Sequence, residues 1–524
     1  MANTKAKFGS GYIIFTYFFI FSICPIIISC NQEEKSTPKQ LPNIVLILAD
    51  DMGWSDLGCF GGEISTPNLD RLAKSGIRFT QFHNTAKCFP SRACLLTGQY
   101  AQSVGMSQKP EYFKNAVTLA EVMRSAGYRT LMTGKHHGLD NPFDMGFDHY
   151  YGLRDGAANY FNPGHQRPGE DLPAQKRPAG RYWCFDEQVL QPYTPIEEDF
   201  YSTDYYTKWA INFLEEYKSE NKPFFLYIAY QSPHDPLQAW PEDIAKYRGK
   251  YDVGYEAIAE KRYKKQIDLG VIDGSFPRSL PTCNDWNSLT EFEKEKQGLK
   301  MAVYAAMIDR MDKNIGRVLK KIKDMGQENN TLILFASDNG SSAEDAESNV
   351  GGTGEIGSMT YWASLGLSWA NVSNTPFRYY KNYTHEGGIC TPLIAHWPDG
   401  IKNPGRFSKF NGHFIDIMAT LVDITGAEYP NHINDEIIKP MEGESVYDIF
   451  LGKELSRSKP LFWKWSKGKA IIKENWKLVS WDGDWELYNM ENDRTETINL
   501  ATQYPEKVKE LSSFFREWSI SVEQ

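Results

Sequence analysis

Several short polar clusters each follow an apolar run. Asp50 and Asp51 come after Asn43–Ala49; Lys135, His136 and His137 follow Tyr128–Thr133 and Gly134. His234 and Asp235 follow Phe224–Tyr230, and Asp338 and Asn339 follow Thr331–Ala336. Between the first two clusters lies Cys88-Phe89-Pro90-Ser91-Arg92, continued by Ala93-Cys94-Leu95-Leu96-Thr97-Gly98. Asp and Asn are hard oxygen donors, suited to calcium or magnesium rather than zinc. Lys and His can clamp an anion, steady negative charge on a departing oxygen, or move a proton. Taken singly, each feature is ordinary, since acidic turns after strands are common, lysines are usually solvated and a lone His is usually structural. The repetition is what points to one polar site.

The five-residue stretch from Cys88, taken with Asp50-Asp51, Asp338-Asn339, Ser65-Thr-Pro-Asn-Leu-Asp70 and Glu386-Gly-Gly388, resembles the sulfatase family, of arylsulfatase type, in the alkaline phosphatase superfamily. The resemblance runs from about Pro42 to the C-terminus. It implies a formylglycine-dependent sulfuric ester hydrolase, in which a maturation enzyme oxidises Cys88 and reads Pro90 and Arg92 while doing so. It further implies a Ca2+ site, with Mg2+ as the alternative, formed by Asp50, Asp51, Asp338, Asn339 and residue 88 itself. Lys135 and His137 match the family's Gly-Lys-x-His segment, His234 matches the His of the next strand end, and Lys381 matches the Lys before Glu-Gly-Gly. By the same resemblance Lys135 clamps sulfate and His137 takes a proton from the second hydroxyl of the hydrated aldehyde. His234 and Lys381 bind sulfate and assist the leaving oxygen, while Arg92 supports the nucleophile and the metal shell. A covalent sulfate ester would split one hard displacement into two easier steps. Phe89 is bulkier than the small residue often found there, and His136 stands where the family often has Trp. The expected substrate is a sulfated carbohydrate or an aryl sulfate. A phosphonate or phosphodiester hydrolase of the same superfamily is the alternative enzyme, and a non-catalytic sulfated-glycan-binding lipoprotein the alternative of another class.

What must position these residues is an α/β fold. Apolar runs alternating with helical patterns imply a large, mostly parallel sheet sandwiched by helices, alkaline phosphatase-like by resemblance, with ligands beyond the carboxyl ends of its strands. The clearest helix carries Met307, Ile308, Met311, Ile315, Val318, Leu319 and Ile322 at helical spacing. From about residue 455 the texture changes to short strands at Leu461–Trp465, Lys469–Lys473, Trp476–Trp481 and Trp485–Tyr488, closed by a helix from about Pro505 to Trp518. The expected division is a signal peptide at 1–29, a tether at 30–41, a catalytic domain at 42–440 and a C-terminal α+β subdomain at 455–524. Gly and Pro around 426–443 mark a linker.

The chain has 524 residues and a formal net charge of −10. That balance argues against nucleic acid, whose phosphates demand basic excess. It permits an anionic substrate where Lys, His and a metal gather positive charge locally. Lys5 and Lys7 precede a nearly continuous apolar stretch, Tyr12–Ser29, ending Ile27-Ile28-Ser29-Cys30 before a polar tether. This is the pattern of an export signal, and its end resembles a bacterial lipobox in which Cys30 is lipidated, the alternative being an ordinary signal peptide that happens to contain a Cys. The expected protein is therefore exported and anchored to the membrane only through that lipid, in the periplasm or at the cell surface. The eight cysteines show no disulfide framework, though one or two bridges are open to the remainder. The segment Tyr160–Trp183, with His165, Arg167 and Arg181, is either a sugar-pocket wall or a surface loop.

Overall fold

The structure, a computed structural model, describes residues 9–18, 40–433 and 436–523. Residues 1–40 and 41–524 divide into two units. In the first, residues 9–18 carry no helix or strand, and Cys30 lies outside the described residues.

Asn43–Asp50 is buried at every position, as a strand covered on both faces must be. It sits near the middle of an eleven-stranded sheet. The strands run in the order Arg406–Ser408, Ile77–His83, Cys390–His396, Thr331–Ser337, Asn43–Asp50, Phe224–Pro233, Arg129–Gly134, His149–Leu153, Trp183–Phe185 and Gln188–Leu190. Gly412–His413 pairs off this path with Ile77–His83. From Thr331–Ser337 to His149–Leu153 all neighbours are parallel, while Cys390–His396 and Trp183–Phe185 run antiparallel to their neighbours. The mostly parallel sheet between helices expected from the sequence is thus present.

The period of two along the central strand divides the core. Ile44, Leu46 and Leu48 face a core shared with Ala93, Leu95 and Leu96 of the helix Cys88–Thr97. Val45, Ile47 and Ala49 face the opposite core, which the helix Glu291–Asp324 covers. That helix begins at a capping box between Thr290 and Glu293, satisfying orphan N–H groups at its start. It buries the face anticipated from its spacing, Met307 through Ile322.

The C-terminal strands Leu461–Trp465, Gly468–Lys473, Trp476–Trp481 and Glu486–Asn489 form the anticipated antiparallel sheet, and the final helix, Pro505–Glu523, continues past Trp518. The small sheet is fastened to the large one by buried polar contacts. Trp463 Nε1 donates to the Asn84 carbonyl at 2.6 Å. Lys477 Nζ lies 2.8 Å from Glu386 and 2.7 Å from Glu496, all three fully enclosed. Within the stretch 426–443, Lys439 and Glu442 are held: Gln99 donates to the Lys439 carbonyl at 3.1 Å and the Tyr100 amide to Glu442 at 2.7 Å. All six described cysteines are free thiols, so no bridge forms among them.

Candidate active site

Four adjacent parallel strands deliver the polar clusters to one place. Asp338 follows Ser337, Asp50 ends its strand with Asp51 next, His234 follows Pro233, and Lys135 follows Gly134. The turns there are sharply bent, because Asp51 and His137 take left-handed conformations at φ 64° and 68°. Non-glycine residues rarely adopt that geometry, and where they do it commonly aims side chains at a functional site. Gly134 is required on steric grounds: at φ +103° an added Cβ would fall 1.9 Å from the Ala229 carbonyl oxygen. Cys88 opens the helix Cys88–Thr97 and so meets the cluster at a helix N-terminus, whose dipole favours negative charge.

Ion pairs lock the cluster together. Arg92 Nε donates to Asp338 Oδ2 at 2.9 Å, Nη2 lies 2.7 Å from the same oxygen, and Nη1 donates to the Lys135 carbonyl at 2.6 Å. Lys135 Nζ binds Asp50. Lys381 Nζ lies 2.8 and 2.9 Å from the two oxygens of Asp51, and Asn339 Nδ2 donates to Asp51 Oδ1 at 2.6 Å. His234 Nε2 stands 3.5 Å from Asp51, and its Nδ1 2.7 Å from Asp235. His137 Nδ1 is buried without a hydrogen-bond partner among the described residues, and its ring meets Phe89 edge-on at 5.8 Å. The catalytic and metal-binding residues read from the sequence are therefore brought together, with Cys88 only 1% exposed among them.

The electrostatics set these groups apart. Burial alone would raise Asp50, but Lys135, His234 and Arg92 outweigh it and hold the carboxyl well below its usual range. Burial and the charge of Asp50 push its neighbour Asp338 upward. Burial pushes the Cys88 thiol up to about 11 against the pull of Lys381 and Lys135, so at neutral pH it is not a thiolate. The two site histidines move in opposite directions. Burial and then Lys135 and Arg92 drive His137 well below its ordinary value; for His234 burial is outweighed by Asp51 and Asp50, which raise it.

The donor set suits a hard cation. Ligand atoms of Asp50, Asp51, Cys88 and His234 all lie within 4.8 Å of one another. Asp50 Oδ1 and Asn339 Oδ1 are buried with no hydrogen-bond partner among the described residues, which leaves two oxygens of the cluster uncompensated. Asp338 stands at the margin, its Oδ2 held by Arg92 and its Oδ1 accepting the Asp51 amide at 3.3 Å. In a second buried group, His83, Glu386 and Cys390, the Glu386 carboxylate is committed instead to Lys477 and His83.

Other residues fall differently. His136 is enclosed, edge-on to Phe113 at 6.3 Å, and burial pushes it down to about 3, so it fills the interior as a neutral ring. His385 is packed edge-on to Tyr379 at 4.9 Å, 3.6 Å from Glu486. Arg167 is spent on Glu170, and Arg181 on the Ala157 carbonyl at 2.9 Å, while His165 is exposed. Sequence reasoning named Asp235 beside His234 but gave it no role, although it is that histidine's partner. It also missed Glu344, which pairs with Lys87 and with Lys381 at 3.2 Å. No spacing signal marks Glu344 as part of the site.

Comparison with known proteins agrees with this geometry. Residues 42–427 match the family model for sulfatases, and residues 377–518 that for N-sulphoglucosamine sulphohydrolase, C-terminal. An arylsulfatase of Klebsiella aerogenes is 32% identical, covering 80% of this chain and 94% of its own. An N-acetylglucosamine-6-O-sulfatase of Bacteroides thetaiotaomicron is 26% identical, covering 93% of this chain and 88% of its own. The solved structure of Ps i-CgsB in complex with k-i-k-neocarrahexaose is similar with a TM-score of 0.66 at 26% identity, covering 92% of this chain and 93% of that one. The chain accordingly belongs to the sulfatase family and is a sulfuric ester hydrolase.

Proposed function

We propose that this enzyme hydrolyses sulfate monoesters of carbohydrates, using a formylglycine made from Cys88 and a divalent cation, Ca2+ or in its place Mg2+. The observation that carries the reading is the convergence of Asp50, Asp51, Lys135, His234 and Asp338 from four neighbouring strand ends onto Cys88. Two relatives with a sugar in their descriptions, the N-acetylglucosamine-6-O-sulfatase and the Ps i-CgsB complex, support a carbohydrate substrate. Export and attachment through a lipidated Cys30 complete the proposal, on the strength of the N-terminal pattern Tyr12–Cys30.

Asp50, Asp51, Asn339 and Asp338 would hold the cation with residue 88. When present, the cation and the hydrated aldehyde supply an oxygen nucleophile of lowered pKa, which the protonated Cys88 thiol does not offer. The chain's own residues account for the rest. Arg92 fixes Asp338 and the Lys135 carbonyl, and so sets the position of the helix that begins at residue 88. Lys135 and Lys381 bring two positive charges to the sulfate oxygens. His234, kept basic by Asp51 and Asp50 and oriented by Asp235, is the donor toward the departing alcohol oxygen. His137, kept neutral by burial and by Lys135, has an unengaged ring nitrogen with which to take a proton when sulfate is released. Two groups whose surroundings push their pKa values apart are the expected acid and base.

The test is turnover of an aryl sulfate against the matching aryl phosphate by protein co-expressed with a formylglycine-generating enzyme. A strong preference for sulfate that vanishes in Cys88→Ala is expected. Preference for the phosphate ester, or full activity in Cys88→Ala, would overturn the reading.

A further inference from the structure

Beside the buried charges lies a half-open constellation that the reaction itself does not use. Glu344 is 40% exposed at its side chain, yet its carboxylate is tied to residues flanking the centre on both sides. Oε1 accepts from Lys87, the residue before Cys88, and from Asn382 Nδ2 at 3.1 Å; Oε2 faces Lys381 at 3.2 Å. Asn382 uses its other amide atom as well, since its Oδ1 accepts from Trp465 Nε1 at 3.0 Å. It is held in a left-handed conformation, φ 79°, with its own amide donating to the Ala86 carbonyl at 2.8 Å. Trp465, from the first hairpin of the C-terminal sheet, meets Phe89 edge-on at 5.3 Å and stays partly exposed. A carboxylate, an amide and an indole are thus fixed in one row from Lys381 to Phe89.

An ionised carboxylate is acceptor-only and offers about four lone-pair positions. Lys87, Asn382 and Lys381 fill three of them, two on Oε1 and one on Oε2. The remaining position on Oε2 is beside the sulfate-binding lysine. A negatively charged group would be repelled there, whereas a hydroxyl or ammonium would donate to it. A rigid indole along the same row offers a flat apolar wall, which the C–H face of a sugar ring fits.

Building on the carbohydrate-sulfatase reading above, we propose that Glu344 is a specificity-determining residue that accepts a hydrogen bond from a hydroxyl or amino group of the sugar ring bearing the sulfate, with Trp465 as the wall against which that ring lies. The enzyme then selects a sulfated sugar whose neighbouring position carries a free donor, and rejects one carrying a second sulfate there.

The test uses the full chain with conversion at position 88 confirmed by mass. The wild type and Glu344→Gln are assayed on a panel of monosulfated monosaccharides, their monodeoxy analogues and 4-nitrophenyl sulfate. In the wild type, one deoxy analogue of the best sugar sulfate should lose about tenfold or more in kcat/KM, because a charged acceptor is left without its donor. In Glu344→Gln the ratio of sugar to aryl turnover should fall by a similar factor, through KM, and the deoxy penalty should disappear. The wild-type comparison stands alone if the variant fails to fold. Equal turnover of the parent sugar and every deoxy analogue by the wild type overturns the inference. So does aryl sulfate turnover with no sugar sulfate accepted, which leaves the sulfatase chemistry intact. No turnover of any sulfate ester by converted protein would instead remove the proposed function on which it rests.

Discussion

Replacing Lys477 with Met should loosen the small sheet from the large one. Lys477 Nζ is 2.8 Å from Glu386 and 2.7 Å from Glu496, and none of the three side chains is more than 1% exposed. At an effective dielectric of about 20, each pair is worth about 6 kcal/mol before desolvation is subtracted. Burying the ammonium costs several kcal/mol, so the net worth of the cluster is far smaller than the sum. Met fills a similar volume but strands two carboxylates. Glu386 keeps His83 at 3.4 Å and Arg494 at 3.9 Å, whereas Glu496 keeps, among the described residues, only the Glu386 amide, which donates at 2.9 Å. Breaking a buried pair in this way costs about 3–5 kcal/mol. Urea denaturation followed by tryptophan fluorescence should show that loss, fitted as a separate transition if the small sheet melts first. Adding Glu496→Gln to Lys477→Met should recover a large part of it, because the stranded charge is then gone. A loss below about 1 kcal/mol in the single variant would refute the reasoning, since it would mean that the carboxylates were never dependent on the lysine.

Further outcomes follow from the same contacts. Arg92→Lys cannot bridge Asp338 and the Lys135 carbonyl at once, and should cost about 3 kcal/mol or more in denaturant unfolding. Calcium at about 100 times its Kd should raise stability by about 2.7 kcal/mol, read by calorimetry against chelator, and Asp50→Ala should abolish the response. Asp312 accepts the Asn68 and Leu69 amides at 3.1 and 2.9 Å, and burial pushes it up to about 6. Because the folded state holds that proton more tightly, the stability it contributes is present below about pH 4 and lost as pH rises through about 6. The Tm advantage of wild type over Asp312→Asn should therefore narrow from pH 4.5 to 7.5; a constant difference would contradict this account.

The sheet core was legible because strands buried on both faces are unbroken apolar runs, and Asn43–Ala49 and Thr331–Ala336 could hardly be anything else. Their polar ends were legible for the same reason, since charge stops such a run abruptly. Strand order was not legible, because pairing Ile77–His83 with Cys390–His396 rests on contacts more than 300 residues apart. The short edge strands Trp183–Phe185 and Gln188–Leu190 carry too few residues for a period to show. Glu344 escaped notice, and Trp465 was read only as the end of a strand, because neither shows a link to the site until the fold sets it against Lys381 or Phe89. Helical spacing, by contrast, identified the buried face of Glu291–Asp324, where one amphipathic stripe decides everything.

All ten residues of the helix Cys88–Thr97 are buried, and Arg92, four positions along, is closed in by Asp338 and the Lys135 carbonyl. If Cys88 is oxidised as proposed, the enzyme that does so would need that stretch reachable, which the folded chain does not offer. Lys135, His234 and Asp338, which close in on it, directly follow the strands Arg129–Gly134, Phe224–Pro233 and Thr331–Ser337, all of which are synthesised after it. Under the proposed conversion, the opportunity would open as the segment is synthesised and close once Thr331–Ser337 adds its strand. Chains that fold before they are modified would be trapped, stable and inactive, with the thiol sealed inside. Slowing the folding of the later strands should then raise the yield of converted protein without altering any residue of the site.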